Sequence, residues 1–269
     1  MERRLAVMAG AGVLPGRAAA EAARQGWRVV ALAFDEAAGL AAHAERVVPS
    51  AITDIQAALR TLAVERVQAV LFVGKFWKQR VFDEVGETDE AGRRLARAGL
   101  SDAALSETVV ATLGGMGIEV LDQRPFLSPW IMGPGTVTSR EPSPDEWDEI
   151  RAGFELARRL AEHGVGQTVV RSRGVTLAVE AAEGTDETIR RGAKLAGRGA
   201  VVVKAVAAGH DFRFDIPTVG PATLAAMAEG GATALGVDAG KVLFVERDEA
   251  VRIADRAGIA VVSVPGLSS

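Results

Sequence analysis

The strongest constraint on the fold is a recurring pattern: a short unbroken apolar run, a glycine at its end, then a helical stretch. Leu5-Ala-Val-Met-Ala9 ends in Gly10-Ala11-Gly12, and an Ala-rich helical segment from Pro15 to Gln25 follows, closed by Gly26. Trp27–Phe34 reads as a second strand, Asp54–Ala63 as a helix, and Val67–Val73 as a third strand ending at Gly74. A helix around Ser101–Leu113 and a strand at Gly117–Leu121 complete this half. Strands that are apolar throughout are covered on both faces, and helices between them make the sheet parallel. The expected class is α/β: a Rossmann-like parallel-sheet domain followed by a second, mixed α/β domain.

Proline and glycine then concentrate between Pro125 and Pro144, which places the break between domains there. The expected division is 1–132 for the N-terminal domain, 133–144 for the linker and 145–269 for a C-terminal α/β catalytic domain. Ser143, Pro144 and Glu146 form a helix start, with a capping side chain, a first-turn proline and a glutamate three residues after the cap. Trp147, Ile150, Phe154, Ala157 and Leu160 recur behind it at helical spacing and give one buried face. Beyond this helix, Gln167–Val170, Val175–Ala181, Ala200–Val206, Ala234–Val237, Val242–Glu246 and Ile259–Val264 read as strands, with helices at Pro221–Glu229 and Arg247–Ala257.

Composition removes several function classes. There is no cysteine, which excludes disulfides and thiolate chemistry, and three scattered histidines argue against an imidazole metal site, leaving oxygen ligands and a hard cation. Residues 1–135 carry 15 basic and 16 acidic side chains and the remainder 16 and 19, so neither half has the basic excess of a nucleic-acid binder. No apolar run approaches the ~20 residues of a membrane span, and Met1-Glu-Arg-Arg leads straight into a strand, so no signal peptide is expected.

Four segments carry candidate chemistry. Gly10-Ala11-Gly12 with Pro15 is a strand-to-helix turn whose glycines allow close backbone approach and whose helix start offers N–H groups to a phosphate. As a dinucleotide fingerprint it lacks its third glycine, although Asp35 stands where a ribose-binding acid would. Gly74-Lys75 follows a strand at the edge where α/β sheets bind ligands, with Lys78 and Arg80 nearby. A strand ends at Glu180, Gly184 permits a tight turn, and Thr185 caps a helix beginning at Asp186, with Glu180, Glu183 and Asp186 as hard oxygen ligands. Finally, Asp211-Phe212-Arg213-Phe214-Asp215-Ile216-Pro217, if extended, sends Asp211, Arg213 and Asp215 to one face, a row suited to metal or phosphate, with Lys204 as a second cation. His210 reads as structural. Walker, nucleophile-elbow and His-Glu-x-x-His motifs are all missing.

At these segments the chain resembles the LpxI-type UDP-2,3-diacylglucosamine pyrophosphatases of lipid A biosynthesis. The likeness runs through Ala9–Pro15, Gly74-Lys75, Gly166-Gln167-Thr168, Ala178–Asp186, Val201–Lys204, Asp211–Pro217, Val219-Gly220 and Thr223. It implies a two-domain enzyme with the active site in the cleft between the domains, and hydrolysis of a UDP-linked acylated sugar to 2,3-diacylglucosamine 1-phosphate (lipid X) and UMP, with Mg²⁺ or Mn²⁺. The family's essential aspartate, in an Arg-x-Asp-x-Pro motif, maps to Asp215. Asp215, Arg213 and Lys204 are then the catalytic candidates, and Asp215, Asp211 and Glu183 the metal ligands. Gly10, Ala11, Gly12, Gly74, Lys75, Asp102, Gln167, Gly184, Thr185 and Thr223 are the substrate-binding candidates. Where many relatives carry Lys-Pro and Gln, this chain has Ala207-Ala208 and His210. The expected location is the cytoplasm, with at most peripheral contact at the inner membrane face, no nucleic acid, and a homodimer as the assembly. A Rossmann oxidoreductase and a non-catalytic nucleotide-sugar binder are the alternatives.

Overall fold

A computed structural model describes residues 2–76 and 102–266. Lys78 and Arg80 lie outside the described residues, and so does the side chain of Asp102. The chain divides into two compact units, Met1–Ser128 with Asp211–Asp215, and Pro129–His210 with Ile216–Ser269.

In the first unit, β1 (Arg4–Ala9), β2 (Arg28–Ala33), β3 (Arg46–Pro49), β4 (Ala69–Val73) and β5 (Glu119–Val120) form a parallel sheet in the order β3-β2-β1-β4-β5. Leu5 to Ala9 are all buried, as an interior parallel strand requires. Among the described residues its α-helices are α1 (Leu14–Arg24), α2 (Ile55–Val64), α3 (Asp102–Gly115) and the short α4 (Arg124–Leu127). Asp54 starts α2 by accepting the Ala57 N–H at 2.9 Å. Strand order reverses between β1 and β4, which makes their carboxyl ends the topological switch point of the sheet. β3 escapes the sequence reading because it is a four-residue edge strand whose side chains are mostly exposed.

The second unit is built on a mixed sheet in the order β6-β13-β11-β9-β7-β8. β9 (Ala200–Lys204), β11 (Ala232–Asp238) and β13 (Ala260–Val264) are parallel to one another. β7 (Thr168–Ser172), β8 (Val175–Val179) and β6 (Gly135–Thr136) join antiparallel. β10 (Thr218–Val219) and β12 (Leu243–Phe244) form a separate parallel pair.

Along β9, Val201 and Val203 face one core while Ala200 and Val202 face another, the alternation of a sheet buried on both sides. α5 (Pro144–Glu162) covers the first face with Ile150, Phe154 and Ala157. α6 (Thr185–Ala196), α7 (Pro221–Gly230) and α8 (Arg247–Ala257) cover the other. The capping box of α5 forms as expected: the Glu146 N–H donates to Ser143 Oγ and the Ser143 N–H donates to the Glu146 carboxylate. Among the described residues, no helix is long and apolar enough to cross a membrane.

Candidate functional site

At the switch point of the first unit, the loops after β1, β2 and β4 are bonded to one another. The Gly10 N–H donates to the Val73 carbonyl at 2.9 Å, Ala11 and Lys75 exchange backbone bonds at 2.9 Å, and the Gly12 N–H donates to the Glu36 carbonyl at 3.1 Å. The amides of Gly10, Ala11 and Gly12 are thus spent on carbonyl oxygens. The glycines answer a packing demand instead. A Cβ on Gly10 would stand 2.7 Å from the Lys75 oxygen, and one on Gly74 would stand 2.8 Å from the Gly10 oxygen. Gly74 also has φ +98°, a conformation that β-carbons resist. Lys75 is exposed beside this weld. The Asp35 carboxylate accepts the Glu36 N–H at 2.7 Å.

Residues 211–215 belong to the same edge. Phe214 packs on Phe72 of β4, with ring centroids 5.1 Å apart, within the first unit's core. The extended conformation expected for this stretch does not occur, and the chain turns at Phe212–Phe214. The Asp211 carboxylate causes the turn: it accepts the Arg213 N–H at 3.0 Å and the Arg213 guanidinium at 2.8–3.2 Å. A short acidic side chain that bonds two residues ahead competes with strand geometry in this way. Asp211 and Arg213 are therefore an ion pair rather than members of a free polar row, and the hydrogen bond to Asp211 raises the Arg213 pKa. Asp215, next in the chain, is exposed.

A second Asp-x-Arg pair meets this turn, and the sequence reading missed it. Asp122 and Arg124 repeat the same geometry just after β5: the Arg124 N–H donates to Asp122 at 2.8 Å and the guanidinium chelates the carboxylate at 2.5–3.1 Å. Burial opposes ionisation of Asp122, but the Arg124 hydrogen bonds outweigh it and hold the carboxyl below its usual range. The only signal in the sequence was the shared Asp-x-Arg spacing, here between the end of a strand and the start of the proline-rich stretch at Pro125.

In the second unit, a buried polar network gathers where β8 and β9 end. Lys204, 6% exposed, donates from Nζ to Thr185 Oγ1 at 2.7 Å, and that hydroxyl donates to Glu180 at 2.8 Å. The Gln167 N–H also donates to Glu180, at 3.3 Å. Burial pushes the Glu180 carboxyl up, but the Lys204 charge and the hydrogen bonds outweigh it, and its pKa is lowered. Gly184, not Thr185 as expected, is the N-cap of α6, because its φ of +82° makes the turn and Thr185 already lies in the helix; Thr223 is buried in the first turn of α7. Gln167, Thr185 and Lys204 are thus brought together with Glu180, which was expected as an oxygen ligand and instead accepts from Thr185 and the Gln167 N–H beside the Lys204 charge. Glu183 turns to Arg191 at 2.6 Å and Thr188 at 3.1 Å.

Among the described residues, no group of three His, Asp or Glu side chains is placed to hold a metal ion. Asp211 is chelated by Arg213 and Glu183 is held by Arg191, so the three expected ligands are not a preassembled set.

Residues 4–130 match the LpxI N-terminal domain and residues 133–262 the LpxI C-terminal domain. UDP-2,3-diacylglucosamine pyrophosphatase LpxI of Caulobacter vibrioides is 32% identical over 171 residues, and the match spans 61% of each chain. Among solved structures, N5-carboxyaminoimidazole synthetase from Staphylococcus aureus is 16% identical with a TM-score of 0.26, covering 67% of this chain and 42% of that one. Glycinamide-RNase-transformylase T from Mycobacterium tuberculosis is 14% identical, also at 0.26, covering 66% and 44%. Likenesses this slight bear on neither fold nor activity.

Proposed function

Because this chain belongs to the LpxI family, carrying both of its domains in order, we propose that it hydrolyses the diphosphate of UDP-2,3-diacylglucosamine to lipid X and UMP. The observation that carries the reading furthest is the anchored turn Asp211–Phe214, which ends on an exposed Asp215 at the carboxyl edge of a parallel sheet. Ligands of open α/β sheets bind at that edge.

In this reading a water molecule attacks the phosphorus next to uridine. Its oxygen becomes part of UMP, the bond from that phosphorus to the bridging oxygen breaks, and the bridging oxygen leaves with the sugar phosphate. Asp215 orients the water and takes its proton. Arg213, held flat by Asp211, offers its remaining N–H groups to phosphate oxygens, and Lys204 supplies charge to an anionic group of the substrate. Mg²⁺ or Mn²⁺ is proposed as the cofactor that neutralises the diphosphate. With Asp211 and Glu183 engaged by arginines, no step is assigned to the cation. Lys75, Gln167, Gly184, Thr185 and Thr223 are the proposed substrate contacts. A peripheral approach to a membrane surface and a homodimer complete the proposal.

An oxidoreductase reading finds no support at the glycine turn, whose amides a dinucleotide would need and backbone carbonyls already hold. The deciding experiment follows UMP release from UDP-2,3-diacylglucosamine by wild type and Asp215→Ala, with and without Mg²⁺ or Mn²⁺. Metal-dependent release that the substitution abolishes is expected. A folded wild type that releases no UMP with either metal removes the substrate assignment.

A further inference from the structure

We propose that Asp122 and Arg124 are positioning residues for Asp215, clamping the Asp211–Asp215 turn to the end of β5 through Phe212. This rests on the reading that Asp215 acts on the diphosphate. The clamp has three parts. The Gln123 N–H donates to the Phe212 carbonyl at 3.1 Å, and Gln123 is 2% exposed, so the bond is shielded from water. The Arg124 guanidinium lies 4.1 Å from the centre of the Phe212 ring, which is 8% exposed. Asp122 chelates Arg124 along one edge, and this leaves the flat face of the guanidinium to the ring.

Phe214, two residues on, is held separately by Phe72. The turn is thus gripped on both sides of Arg213, and Asp215 is the first residue past the grip. The two Asp-x-Arg pairs are also coupled electrostatically, since the charge of Asp211 acts unfavourably on Asp122. Each arginine neutralises its own aspartate, which lets two carboxylates share one corner. Without Arg124, Asp122 repels the turn that it helps to hold.

The test measures kcat and KM for UMP release in wild type, Arg124→Gln and the double variant Asp122→Asn/Arg124→Gln, with amide hydrogen exchange over residues 206–217. Arg124→Gln is expected to lower kcat about 10- to 100-fold, the scale of an ångström of misplacement. KM should stay within about twofold, and exchange at Phe212–Asp215 should rise. The double variant should regain part of kcat, because the second change removes the repulsion left by the first. Should Arg124→Gln fail to fold, Arg124→Lys keeps a cation over the ring without the fork and carries the same comparison.

An unchanged kcat overturns the proposal, and so does a loss confined to KM, which would make Arg124 a direct substrate contact. A low kcat with unchanged exchange does the same. If the wild type releases no UMP while exchange still rises in Arg124→Gln, the clamp stands and the substrate assignment falls.

Discussion

Replacing the glycines of the β1–β4 weld separates two physical costs that usually come together. Gly10→Ala adds a carbon 2.7 Å from the Lys75 oxygen without requiring a left-handed backbone. Gly12→Ala does the reverse: φ is +104°, yet the new carbon meets nothing within 4 Å. Gly74→Ala does both, with φ +98° and three atoms at 2.8–2.9 Å. A left-handed alanine costs about 1–2 kcal/mol and overpacking against backbone about 1–3 kcal/mol. The expected losses are therefore about 1 kcal/mol for Gly12→Ala, about 2 for Gly10→Ala and about 3–4 for Gly74→Ala. Gly10→Ala and Gly74→Ala press on the same contact, so the double variant should cost less than the sum. Native-state hydrogen exchange at β1 and β4 amides reads the first unit alone, which a global melt of a two-unit chain does not. An effect of Gly74→Ala within ~0.5 kcal/mol of wild type, against the ~0.5–3 usual for consequential substitutions, refutes the weld. So does a rise in KM for Gly12→Ala without loss of protection, because it would mean that the turn serves a ligand.

Hydrolysis in ¹⁸O-water should put the label in UMP and none in lipid X; label in lipid X would move the attack to the other phosphorus. Asp238, 1% exposed, accepts the Val206 N–H at 3.0 Å and Arg158 at 2.6 Å, so Asp238→Ala should destabilise the second unit by about 3 kcal/mol in urea titration. That figure is the low end for a broken buried pair, because Arg158 is partly exposed. Glu180 has a lowered folded pKa, so its contribution is complete above the unfolded carboxylate value and is lost as pH falls through the folded one. Urea stability of Glu180→Gln should consequently change less than that of wild type between about pH 5 and 3. Ser143→Ala removes one half of the α5 capping box and should cost about 1 kcal/mol by thermal denaturation.

Local patterns were legible wherever the deciding interaction lay within a few residues. The apolar runs of β1, β2 and β4 announced a parallel sheet, and Ser143-Pro144-x-Glu146 announced the start of α5, because burial on both faces and helix capping leave their mark on contiguous sequence. The family resemblance likewise rested on ordered blocks along the chain. The tertiary structure decided what those blocks do to one another. Gly10-Ala11-Gly12 looked like an anion cradle, but its amides meet carbonyls from the end of β4 and from the loops after β2 and β4, partners that no local spacing reveals.

Asp211–Pro217 alternates as a strand would, yet the Asp211 carboxylate bonds ahead to Arg213, and Phe214 finds its place on Phe72, 142 positions earlier in the numbering. Asp122 and Arg124 gained meaning only when folding set them against Phe212. Secondary structure is governed by period and capping, which are properties of neighbours in sequence. Which carboxylate meets which arginine, and which amide remains for a ligand, is settled by side chains and loops that only the finished sheets bring into contact.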